Sequence, residues 1–152
     1  MRIVVPIAAF LAFSFPGGYL RAASTVDLTP DEQRLDALEV RAEQAQPREQ
    51  CFLYAEIVHQ MTELSIRQYA AGDFNKATGL LRDIQKFAKK IHLAVSDNDK
   101  RLKNAELLLN QTAFRLNEML QSTNVEDRPL VQQTLAQVTD AKNAAMMQVF
   151  RK

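Results

Sequence analysis

Residues 73–94, DFNKATGLLRDIQKFAKKIHLA, set Ala77, Leu80, Leu81, Ile84, Phe87, Ala88 and Ile91 at spacings of three and four. That period gathers the apolar side chains on one side of an α-helix, whereas the two-residue alternation of a strand would divide them between its faces. Asp73 stands where it can cap the helix, and Gly72 suits the left-handed position that ends the helix before it. Gly79 weakens the interior of the run and is a candidate point of close approach by a neighbouring helix.

The same period continues on both sides. Residues 48–71 carry Leu53, Tyr54, Ile57, Val58, Met61, Leu64, Ser65 and Ile66 over more than one narrow stripe, as expected of a central helix with several neighbours. Further upstream, Leu28-Thr29-Pro30-Asp31-Glu32 is a helix start: Thr29 can cap, Pro30 suits the first helical position, and two acids complement the positive helix end. That helix runs to about Gln46 with Leu35, Leu38, Ala42 and Ala45 on one side. Pro47 then either starts the next helix or kinks a continuous one.

Downstream, Ser96-Asp97-Asn98-Asp99 is a polar turn with several caps. Leu102, Ala105, Leu109, Thr112, Leu116, Met119 and Leu120 define a fourth helix ending near Ser122. After a break at Asn124 to Pro129, Val131, Leu135, Val138, Ala145 and Val149 carry a fifth almost to Lys152. Links of one to six residues favour antiparallel neighbours. The expected fold is all-α, an up-down antiparallel bundle of four long helices with a short N-terminal helix packed across it. Four glycines, five prolines and no Trp in 152 residues argue against turn-rich β architectures.

Residues 1–24 read separately from this domain. Met1-Arg2, an apolar run from Ile3 to Phe15, the Pro16-Gly17-Gly18 break and Ala22-Ala23-Ser24 follow the order of a secretory signal peptide, with cleavage after Ser24. The run is shorter than the roughly 20 residues of a spanning helix, so residues 25–152 are expected to form one exported helical domain, periplasmic or extracellular. Cleavage would remove Arg2 and Arg21 and no acid, leaving 17 basic and 18 acidic groups. That balance argues against a general binder of nucleic acid or anionic membranes. The charge is uneven, with nine acids and three bases in residues 25–63 and eight bases and three acids in residues 76–103. Solvated faces that complement each other within the bundle explain this without a docking surface.

Little of the chain suggests catalysis. Cys51 is the single cysteine and shares a helical face with Ala55 and Val58, so a buried apolar role is expected, with an intermolecular disulfide as the alternative. Glu56-Ile57-Val58-His59 has the E-x-x-H spacing that puts a carboxylate and an imidazole on one helix face, as in di-iron bundles. Such a centre needs a second copy, and the other histidine, His92, is preceded at that spacing by Lys89. Glu56 and His59 are therefore metal-ligand candidates without a completed shell, and an interhelix hydrogen bond is the competing role for His59. Two His, one Cys and no G-x-S-x-G supply little for a nucleophile and base.

Residues 61–88, with Leu64 and Ser65 in the first helix, the Gly72-Asp73-Phe74 turn, then Ala77 and Leu81, resemble a single tetratricopeptide-like helical hairpin. The resemblance implies protein binding, and the turn residues Tyr69, Gly72, Asp73 and Phe74 are the candidate contacts. Leu28-Thr29-Pro30-Asp31-Glu32-Gln33 is similar to the L-T-x-x-Q motif of small helical periplasmic stress chaperones, which implies capture of unfolded clients. Met61, Met119, Met146 and Met147 would suit an adaptable binding face, or equally core filling. The functional expectation is a non-catalytic module that binds an unknown protein partner, without a cofactor and with homo-oligomerisation open. A periplasmic chaperone or a metal-binding bundle is the alternative.

Overall fold

The structure is a computed structural model that describes residues 27–95 and 100–151. Residues 1–24, expected from the sequence to be a signal peptide, and residues 96–99, expected to be a polar turn, lie outside the described residues. The helices are α1 (Pro30–Gln44), α2 (Pro47–Ala70), α3 (Phe74–Ala94), α4 (Leu102–Ser122) and α5 (Arg128–Val149). Among the described residues there is no strand, and no helix is long and apolar enough to cross a membrane. The all-α bundle expected from the apolar periods is the fold, with α1 at 15 residues and the others at 21 to 24.

Local chemistry sets the boundaries. At the start of α1, Thr29 Oγ1 accepts the Glu32 amide at 3.3 Å while Glu32 Oε2 accepts the Thr29 amide at 2.7 Å. This reciprocal capping box also holds the Glu32 carboxyl below its usual range, chiefly through the Thr29 amide. Pro47 is the first residue of α2, so it starts a new helix after a break at Ala45 and Gln46. Gly72 takes a φ of +82°, and Asp73 caps α3 by accepting the Lys76 amide at 3.4 Å.

Packing follows the apolar faces. The widest face belongs to α2, which packs on α1, α3 and α4. Cys51, Ala55, Ile57 and Val58 are fully buried. Ile84 and Ile91 of α3, Leu109 and Leu116 of α4 and Val131 and Val138 of α5 complete the middle of the core. The short helix α1 runs antiparallel along α2 instead of crossing the bundle: Asp31 pairs with Arg67 at one end, and Gln50 reaches the Ala42 carbonyl at the other.

The helices alternate in direction, but not every neighbour is antiparallel. α2 packs on α3 and α4, and α5 on α4 and α3, so α3 and α4 stand across a diagonal. Cross-links from Arg48 to Lys100, His59 to Thr112, Glu63 to Arg115 and Tyr69 to Asn124 hold α2 and α4 in parallel at nearly constant register. Gln85 to Thr134 does the same for α3 and α5. The two hairpins are thus stacked with like helices side by side. The link from α3 to α4, residues 95–101, permits this, since seven residues can reach roughly 23 Å and a bundle diagonal is roughly 11–14 Å.

Gly79 differs from expectation. A Cβ built there meets no atom within 4 Å, so no helix approaches closely. The close contact of the hairpin lies instead at Ser65, whose buried hydroxyl donates to the Ala77 carbonyl at 3.0 Å.

Candidate functional site

One end of the bundle carries the α2–α3 turn and the α4–α5 turn. Tyr69, in the last turn of α2, joins them. Its hydroxyl accepts the Asn124 amide at 3.0 Å and donates to Asp127 Oδ2 at 3.2 Å. Burial pushes its pKa above the usual 10, so the phenol stays a donor at neutral pH. Asn124 is itself fixed by Asp127, whose amide it accepts at 2.7 Å. The α4–α5 turn is therefore held by side-chain bonds to its own backbone and to α2.

The same tyrosine ring meets Phe74 edge-on, with centroids 4.8 Å apart and planes at 64°. Phe74 is 46% exposed and Val125, the residue after Asn124, is 79% exposed. Phe74 and Val125 are thus both exposed at this end, one in contact with the Tyr69 ring and the other next in sequence to the amide that the Tyr69 hydroxyl holds. Asp73, Lys76, Glu126 and Arg128 provide charge around them.

Of the four contact residues proposed from sequence, only Phe74 offers a large free surface. Gly72 supplies the turn, Asp73 the helix cap, and Tyr69 is occupied within the molecule. Val125 went unnoticed because one valine in a polar turn carries no periodic signal. Its role depends on Tyr69 bringing the two turns together.

Glu56 and His59 are half-buried on α2, and His59 meets α4. The Thr112 hydroxyl donates to the Leu108 carbonyl at 2.8 Å, so at 3.1 Å from His59 Nδ1 it accepts the ring N–H. This assignment leaves Nε2 as the acceptor of a neutral ring. Burial lowers the His59 pKa from 6.5 against the opposite pull of Glu63, and Arg115 adds a smaller lowering. Glu63 is held by Arg115 in a two-pronged pair at 2.7 and 3.1 Å, which keeps its carboxyl below the usual range. Arg115 also binds Glu118. Among the described residues, no three His, Cys, Asp or Glu side chains come together as a metal shell would require. His59 takes the interhelix hydrogen bond that competed with metal ligation in the sequence.

A second exposed aromatic, Phe114, borders a shallow groove with His59, Asn110, Gln111 and Arg115. Its lining includes neither Phe74 nor Val125 and follows the flank of α4. The chain matches no known family model, no curated protein and no solved structure.

Proposed function

We propose that this is an exported, non-catalytic interaction module that binds a folded protein through the end of the bundle bearing Phe74 and Val125. The observation that carries the reading is the bridge made by Tyr69, which contacts the Phe74 ring and holds the amide beside Val125. Exposed apolar side chains on flexible turns would lose conformational entropy on binding, and here both turns are ordered in advance. A rigid apolar centre with a charged rim is the anatomy of a protein contact. The chemistry at His59 favours no reaction, since Glu63 and Arg115 are committed to each other and the imidazole to Thr112.

The test is cross-linking in the native envelope followed by purification of the mature chain, repeated with Phe74→Ser and Val125→Ser. One reproducible folded partner, lost in both variants while helical circular dichroism is unchanged, supports the proposal. Recovery of many unrelated unfolded proteins, insensitive to both substitutions, would replace it with the chaperone reading.

A further inference from the structure

The opposite end of the bundle holds a cavity of about 500 Å³ between the last turns of α1, the start of α2 and the entry to α4. Its lining includes the apolar Val40, Phe52 and Leu53 and the cationic Arg41, Lys100 and Arg101. Its size lies within the range of small-molecule sites, roughly 300–1,000 Å³, and its mixture of apolar wall and a few polar groups is also theirs.

The charges do not balance. Among the described residues, Glu49 is the one acid lining the cavity, and its Oε1 takes Lys100 Nζ at 3.1 Å. Arg41 and Arg101 form no salt bridge with any described carboxylate. Among the described residues, then, two exposed arginines line an apolar hollow with no carboxylate bound to them, an arrangement that attracts an anion.

Arg101 also carries backbone strain. Its φ of +58° and ψ of +26° make it the only non-glycine at positive φ among the described residues. Glycine adopts this conformation freely and arginine does not. The strain is accompanied by a defined placement: the guanidinium lies over the Phe52 ring at 3.6 Å, and the neighbouring Lys100 amide donates to the Arg48 carbonyl at 2.8 Å. The guanidinium is therefore held against the Phe52 ring in the cavity lining. The start of α4, which has no side-chain cap, adds its positive helix end nearby.

We infer that this cavity binds a small amphipathic anion, with a carboxylate or phosphate head held by Arg41 and Arg101 and an apolar body against Val40, Phe52 and Leu53. A simple inorganic anion would leave the apolar wall unused, and an uncharged amphiphile would leave the arginines unpaired. The site is at the far end from Tyr69, so it is independent of the proposed partner surface.

The test is isothermal titration of the mature chain with decanoate, with inorganic phosphate and octyl glucoside as separate arms, on the native protein and on Arg101→Gly and Arg41→Ala. Saturable one-to-one binding of decanoate is expected, at least about tenfold tighter than either comparison compound and at least about tenfold weaker in each variant. Arg101→Gly should also melt no lower than the native chain, because glycine accepts the positive φ; loss of binding would then not reflect loss of fold. Absence of saturable decanoate binding, equal affinity for octyl glucoside or phosphate, or unchanged affinity in both variants would each overturn the inference.

Discussion

Gln85 on α3 donates through Nε2 to the hydroxyl of Thr134 on α5 at 2.9 Å, while that hydroxyl donates to the Leu130 carbonyl one turn back at 2.8 Å. The same device recurs between α2 and α4, where Thr112 accepts from His59 and donates to Leu108. Each parallel helix pair is thus tied by a fully buried threonine that satisfies its own proton locally and offers a lone pair to its neighbour. Thr134→Val keeps the shape and removes the acceptor, so it should lower stability by about 1 kcal/mol. Adding Gln85→Leu should recover part of that loss, because the stranded amide goes with it. Urea unfolding of both variants reads the effect, and a Thr134→Val protein as stable as the parent would show that the bond contributes nothing.

Gly79 occupies the interior of α3 with open space where a Cβ would stand. Gly79→Ala should therefore raise stability by roughly 0.5–1 kcal/mol, through helix propensity and a less free unfolded chain. A lower thermal midpoint for this variant would mean that a neighbour approaches more closely than the structure shows.

His59 makes stability depend on pH. Its folded pKa is depressed below 6.5 by burial, which outweighs the opposing pull of Glu63, so the unfolded chain binds the proton more readily than the folded one. The stabilising contribution is fully present above 6.5 and is lost as pH falls through the lower folded value. His59→Gln retains a donor for Thr112 without titrating in this window. Denaturation midpoints at pH 7.5 and 5.0 should therefore differ less in His59→Gln than in the native chain; an identical pH dependence would assign the effect to other groups.

Tyr69→Phe removes the hydroxyl that joins the two turns while leaving the ring against Phe74. A stability loss of about 1 kcal/mol is expected from the two lost hydrogen bonds. Hydrogen exchange should show faster opening around Asn124 and Val125, with the α2–α3 turn little changed. Exchange that is unaltered at Asn124 would show that the α4–α5 turn is held by its own Asn124–Asp127 bonds alone.

The sequence by itself determined the helices, the side-chain caps of α1 and α3 and most of the buried faces. These features arise from residues within one or two turns of each other: Thr29 with Glu32, Gly72 before Asp73, and the three-and-four spacing of Leu81, Ile84, Ala88 and Ile91. It also placed Cys51 in the core, since one helical face carries it with Ala55 and Val58. What only the tertiary structure decided is which face meets which. The diagonal placement of α3 and α4 depends on how two hairpins stack, and an apolar stripe looks the same whichever helix covers it. For that reason the use of Tyr69 as a bridge, the engagement of His59 by Thr112, the open space beside Gly79 and the cavity under Arg101 were not legible beforehand. Each of them depends on groups that tertiary packing brings together, or keeps apart, between separate segments of the chain.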